Sequence, residues 1–191
     1  RLGRGLADAE SVAALGAHVV QEVVAAVPMR TAAVLAVVDG ERTLRVAAAH
    51  GVSDPVREAV ERCDARALLA RLGAEPSAPA ALDLVADWRA ALEAMRARRL
   101  AAMREGDQVR GVLVLGPKLS DEEYDEDERA LAEAMASQAA LAWRGVRARG
   151  QDAELREALD IQRSLLPASL PPTPGYTIAG AWQPAKVVGG D

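Results

Sequence analysis

Apolar residues recur at Val12, Leu15, Val19, Val23 and Val27, a spacing that predicts one amphipathic helix from about Asp8 to Val27. Pro28 ends it, since proline brings no amide hydrogen to continue the ladder. Thr31 to Val38 (TAAVLAVV) is apolar on both faces and rich in valine, the pattern of a buried strand. Asp39-Gly40 signals a turn, and Thr43 to Ala49 returns as a second strand, completing a hairpin. After His50-Gly51 the pattern becomes helical from Pro55 to Leu72, with proline suited to a first turn. Gly73 to Pro79 (GAEPSAP) reads as a loop, Leu82 to Val85 as a short strand and Trp88 to Arg96 as a short helix. Arg99 to Arg104 and Val109 to Leu115 form a second hairpin across Glu105-Gly106-Asp107, and Gly116-Pro117 closes the sheet region.

Ser120 has the chemistry of a helix N-cap, and Asp121, Glu122 and Glu123 behind it oppose the positive helix end. No proline interrupts the chain from there to Pro167. Alternating steps of three and four pick out Leu131, Ala134, Gln138, Leu141, Gly145, Ala148, Asp152, Leu155, Leu159, Gln162 and Leu166, one register along a single helix. Gly145, Arg149 and Gly150 weaken its middle. The stretch from Leu131 to Leu141 is expected to cover the sheet. Leu155, Leu159, Gln162 and Leu166 lie too far along for that, because a helix of this span projects roughly 60–70 Å. A second copy of the chain is the simplest cover for the outer stripe, giving a parallel homodimer. Past Pro167 a proline-rich connector, Ala168 to Gly175, leads to a strand-like alternation from Tyr176 to Trp182 and then to Val187-Val188-Gly189-Gly190-Asp191. This last portion reads as the start of a domain without its remainder.

Composition narrows the function classes. The 191 residues hold one well-buried domain and an appendage. Apolar residues at 50% and charged residues at 27% are ordinary for a globular chain, and no run approaches the ~20 apolar residues of a membrane span. No secretory signal is visible, so a cytoplasmic location is expected. Arg1 in place of an initiator methionine leads to the expectation of further residues upstream. The net charge of -5 is spread along the helices and leaves no broad footprint for nucleic acid. Cys63, the one cysteine, rules out an internal disulfide and a thiolate zinc cluster. With phenylalanine absent and aromatics at 3%, the core must come from Leu, Val, Ala and Met, and few flat side chains remain to stack on a planar ligand.

The order helix, hairpin, helix, loop, hairpin, long helix is that of an α+β domain: a central antiparallel sheet flanked by helices. Two segments resemble the GAF family. Thr43 to Gly51 (TLRVAAAHG) is similar to its second strand and turn, and Gly111 to Ala142 to its last strand, acidic loop and closing helix. The likeness covers about Asp8 to Arg147. A second, sharper resemblance starts at Ile161-Gln162-Arg163-Ser164-Leu165-Leu166-Pro167. It continues through Gly175 to Ala179 and Pro184-Ala185, and ends at Val188-Gly189-Gly190-Asp191. These residues are similar to the entry of metal-dependent serine/threonine phosphatases of the sporulation and sigma-regulatory type. That resemblance implies that Asp191 contributes to a two-metal site for Mg2+ or Mn2+ once the phosphatase domain is complete.

The domain organisation expected is a GAF-like sensor over 1–147, a signalling helix over 148–167 and a truncated phosphatase start over 168–191. The function expected is the regulatory sensor and dimerisation region of a bacterial phosphatase. By family analogy its phosphoprotein substrate is an anti-sigma-factor antagonist. The fragment itself lacks a complete active site and is expected to hold no catalytic residue. The alternative is a non-catalytic GAF dimerisation scaffold with no small ligand. A sensor kinase would need a phosphoacceptor histidine after Ala142, and the sequence has none there.

Candidate ligand residues are few. Trp88, Met95 and Met103, with His50, could line a pocket for an unknown small ligand; the plainer reading has the first three filling the core. His50 has the chemistry of a haem or metal ligand, but His-Gly here matches a family feature of the strand end. His18 suits packing or surface. Cys63 lacks the adjacent histidine of bilin-binding relatives and is read as inert. The Asn-Lys-Phe-Asp signature of cyclic-nucleotide binders is missing. The acidic run Asp121 to Glu128 reads as a solvated helix start, with cation binding as the alternative.

Overall fold

The structure, a computed structural model, describes residues 11–38, 43–72 and 77–165, with side chains in the last stretch described through 149 and at 158 and 161. Ser11 caps the first described helix, α1 (Val12–Ala26), its hydroxyl accepting from the Ala14 amide at 3.1 Å; the expected start at Asp8 lies outside the described residues. The expected hairpin follows as β1 (Ala32–Val38) and β2 (Thr43–His50); the Asp39-Gly40 turn lies outside the described residues. β3 (Arg99–Glu105) and β4 (Gln108–Leu115) make the second hairpin. The four strands form one antiparallel sheet in the order β2-β1-β4-β3.

The double-sided pattern of β1 is explained by a helical layer on each face. Ala32, Val34 and Ala36 point into one core with Leu15, Val19, Val23, Met103, Leu113 and Leu115. Ala33 and Leu35 point into the other with Leu44, Val60, Leu68, Trp88 and Val112. The first core is covered by α1 and the last helix, α5 (Glu126–Leu165); the second is covered by the helices between β2 and β3. The chain divides into two compact units between Val146 and Arg147, and the sheet belongs to the first. Of the second unit, the described residues are α5 as far as Leu165.

The expected helix from Pro55 to Leu72 is two helices, α2 (Asp54–Glu61) and α3 (Ala65–Leu69). The break is chemical: the Asp64 carboxylate accepts from the Arg66 amide at 2.9 Å and caps a new helix. Leu82 to Val85 is not a strand. Its place at the open edge of the sheet is taken by Ser77, which exchanges two backbone hydrogen bonds with Leu100, at 2.9 and 2.8 Å. A single turn of 3-10 helix (Pro79–Ala81) and α4 (Ala86–Ala94) complete that layer.

Two further expectations change. Ser120 does not cap the long helix, which begins six residues later at Glu126. The cap is Asp125: its carboxylate accepts from the Glu128 amide at 2.8 Å, and the Glu128 carboxylate accepts from the Asp125 amide at 3.0 Å. This reciprocal pair is a capping box. The stripe from Leu131 to Leu141 does not cover the sheet either. Leu131 is 37% and Leu141 65% exposed, while the sheet is covered by Ala132, Met135, Ala136, Ala139, Ala140, Trp143 and Val146. No helix among the described residues is long and apolar enough to cross a membrane.

Candidate functional site

The sequence placed its pocket candidates together, and the structure separates them. Trp88 and Met95 lie in the core between the sheet and α2–α4, at 0% and 1% exposure. The Trp88 indole N–H donates to the Asp64 carbonyl at 2.6 Å, which ties α4 to the cap of α3. Met103 is equally buried but on the opposite face of the sheet, in the core of α1 and α5. His50 stands exposed at the end of β2, beside a shallow groove that includes Ala17, Val20 and Val24 of α1. The three buried residues therefore act as core on two opposite faces of the sheet, with His50 exposed apart from them.

Other candidates resolve into packing. Cys63 is buried just past the end of α2; its thiol donates to the Ala59 carbonyl at 3.3 Å, and burial pushes its pKa up, with Asp87 adding to the effect. A thiol held protonated is a poor nucleophile. His18 is half-buried on α1, its Nε2 without a hydrogen-bond partner among the described residues. No group of three His, Cys, Asp or Glu residues able to hold a metal occurs among the described residues.

The acidic run has a definite structural role at the start of α5. Asp121, held at φ 58°, makes two hydrogen bonds with the Arg30 guanidinium, at 3.1 and 2.9 Å. Both partners are exposed, so this pair contributes little. Lys118, at the end of β4, is buried and donates to both oxygens of Glu128, at 3.0 and 2.9 Å. One carboxylate thus closes the capping box and ties the helix start to the sheet. The Glu128 hydrogen bond, against the opposing effect of burial, raises the Lys118 pKa and keeps its ammonium charged. The Lys118 ammonium also lies 5.9 Å from the centre of the Tyr124 ring, while the Tyr124 hydroxyl donates to the Gly116 carbonyl at 2.7 Å.

Burial, reinforced by the negative charge of Glu128, pushes the Tyr124 phenol up to about 12. An unfolded tyrosine releases its proton near pH ~10. Between those values the unfolded chain binds fewer protons, so stability must fall as pH rises through the window and is fully present below it. The unfolding midpoint in urea is expected to drop between about pH 10 and 12, and Tyr124→Phe to flatten that drop. An identical pH slope in the variant would contradict the assignment.

Among the described residues, the outward face of α5 carries an extended feature that the sheet does not use. Leu131, Ala134, Gln138, Leu141 and Ala148 follow the three-and-four spacing and are all exposed, with Gly145 half-buried among them. Ile161 is 56% exposed further along the helix. Leu155, Leu159 and Gln162 belong to the same helix but their side chains lie outside the described residues, and Leu166 and Asp191 lie outside them altogether.

Residues 11–143 match the GAF domain family. No curated protein sequence matches significantly. Among solved structures, the GAF domain/HD domain protein from Geobacter sulfurreducens is 19% identical, covers 77% of this chain and 98% of its own, and superposes with a TM-score of 0.56. The blue-light absorbing form of the Thermosynechococcus elongatus PixJ GAF domain is 15% identical, covering 76% of this chain and 91% of its own, with a TM-score of 0.54. The GAF domain from an Acinetobacter phosphoenolpyruvate-protein phosphotransferase is 12% identical over 78% and 91%, again at 0.54. At such identities these structures speak for the fold alone. The family match spans more than half of the chain and agrees with the four-stranded sheet and its two helical layers, so the chain belongs to the GAF domain family.

Proposed function

We propose that this GAF domain is the sensor and dimerisation region of a bacterial protein serine/threonine phosphatase that controls sigma-factor regulators, with α5 as its relay. The observation that carries the relay is the division of labour on α5. The Ala132-to-Val146 face is consumed by the sheet, whereas Leu131 and Leu141 face outward on a separate stripe. A 40-residue helix with a second apolar stripe is suited to pair in parallel with its copy. The phosphatase part of the reading rests on the resemblance of residues 161–191 and on Asp191, with Mg2+ or Mn2+ as the metal of the complete domain. The metal supplies Lewis-acid chemistry there, and no catalytic step is assigned to the described residues.

Sedimentation of the chain tests the dimer. The wild type is expected to sediment as a dimer and the Leu131→Glu/Leu141→Glu variant as a monomer of unchanged unfolding midpoint, since neither side chain is in the core. A wild-type monomer at high micromolar concentration would remove the relay. Phosphoserine turnover by the parent protein, lost on Asp191→Asn, tests the output.

A second reading is favoured by one observation. The layer between the sheet and α2–α4 is filled by Leu44, Val60, Leu68, Trp88 and Leu92, each at most 1% exposed. A scaffold that dimerises without an internal ligand fits that packing. Native mass spectrometry separates the two: a retained small molecule speaks for sensing, a bare dimer for scaffolding.

A further inference from the structure

We propose that a groove at the β3 edge of the sheet, between the 3-10 turn, α4 and the segment leading into α5, binds a small organic anion with an apolar body. The groove has a volume of about 570 Å³, within the range of small-molecule sites. Leu82, Leu84 and Leu92 give it an apolar floor. Three arginines line it: Arg89 from α4, Arg98 just before β3, and Arg99 at its start.

The arginines are poised rather than paired. Arg89 is steered by a hydrogen bond from its guanidinium to the Leu84 carbonyl, at 3.1 Å. Arg99 is half-buried, and its Nε–H is buried with no hydrogen-bond partner among the described residues. The Arg99 guanidinium lies on the wall of the groove with no carboxylate partner among the described residues, and an incoming carboxylate or phosphate oxygen would accept hydrogen bonds from it. Glu93 and Glu123 also line the groove, yet among the described residues neither forms an ion pair with any of the three arginines. Both carboxylates are exposed to water, whereas Arg99 is the charge set into the wall. Three arginines against two exposed carboxylates leave the groove net positive and favour an anion, and the leucines favour one with a hydrocarbon part.

The position of the groove gives such a ligand a physical route to α5. Glu123 belongs to the segment between β4 and α5, and the charge of Arg99 reaches the adjacent Tyr124 phenol. An anion seated on Arg99 would lie at the sheet edge, beside the lead-in to the helix. This deepens the sensor reading by naming its ligand class, but it rests on the groove itself and not on dimerisation or phosphatase coupling.

Titration calorimetry of the full 191-residue chain with phenyl phosphate, benzoate, inorganic phosphate and benzyl alcohol tests the proposal. At least one aromatic anion is expected to bind with a Kd below about 1 mM, and inorganic phosphate and benzyl alcohol at least about tenfold more weakly. Whether phenyl phosphate or benzoate binds tighter identifies the head group. Arg99→Gln is expected to raise Kd about tenfold or more. Arg98→Gln, an exposed change without folding risk, should raise it severalfold, and Arg110→Gln, whose partner is Glu105 outside the groove, should leave it unchanged. No saturable binding of either aromatic anion, or binding unaltered by both Arg98→Gln and Arg99→Gln, overturns the proposal. The dimer and phosphatase tests above would stand in either case.

Discussion

Exchanging Trp88 for alanine is expected to cost about 3–5 kcal/mol, enough to unfold a marginal domain. Trp88 is fully buried among Leu35, Val60, Leu68 and Leu92, in a chain without phenylalanine and with few large side chains to collapse into the gap. Its indole also satisfies the Asp64 carbonyl at 2.6 Å, next to the cap of α3. Truncation therefore removes packing and strands a carbonyl at once. For a domain of this size the melting midpoint should fall by roughly 10 °C. Trp88→Phe keeps most of the volume and loses only the hydrogen bond, so it should cost about 1–3 kcal/mol. A denaturant series with unchanged slope and shifted midpoint would establish both values. Equal midpoints for wild type and Trp88→Ala would refute the packing described for this layer.

Gly116→Ala is expected to be nearly as damaging, through crowding and not through a cavity. An added methyl would stand 2.8 Å from the Thr31 carbonyl oxygen and 3.0 Å from its Cβ, and would overlap the Thr31 hydroxyl. Retreat is blocked on every side. The Gly116 amide donates to that same Thr31 oxygen at 2.8 Å, its carbonyl receives the Tyr124 hydroxyl, and the Thr31 hydroxyl donates to the Met95 carbonyl at 2.9 Å. Forcing the strands apart would loosen α4, the sheet and the lead-in to α5 together, for a loss of about 1–3 kcal/mol or more. Gly106→Ala is the control: its added methyl meets nothing within 4 Å, although φ is +59°. Only the backbone penalty of about 1 kcal/mol should remain there. If thermal melting ranked Gly106→Ala below Gly116→Ala, the close approach at Thr31 would not be what holds this corner.

The parts of the fold legible in the sequence were those where one residue pattern had one structural solution. Ala32–Val38 is too uniformly apolar to be anything but a strand covered on both faces, and it is one. The long helix was legible as a helix but not in its orientation. Alanine populates its inner and outer stripes alike, so the Leu131 and Ala132 registers both satisfy the same spacing, and only packing distinguishes them. Its start was masked by surplus carboxylates: Ser120 and Asp125 both offer a cap, and the choice falls to Glu128, which can serve Asp125 and Lys118 together. Asp64 was a capping residue hidden inside an apparent helix. The arginine groove was illegible for a different reason. Its floor and walls come from the 3-10 turn, α4, the start of β3 and Glu123, which topology alone brings together.

The inner face of α5 has a mechanical consequence. Of its seven buried residues among those described, Ala132, Ala136, Ala139 and Ala140 are methyl stubs, leaving Met135, Trp143 and Val146 as the larger contacts. Methyl groups let a helix lie close to a sheet but offer shallow relief, so small axial slips meet little resistance between the larger side chains. Met135, Trp143 and Val146 would then act as pegs on an otherwise smooth rail. Any shift of the helix along the sheet would have to dislodge these larger side chains, which would set its threshold.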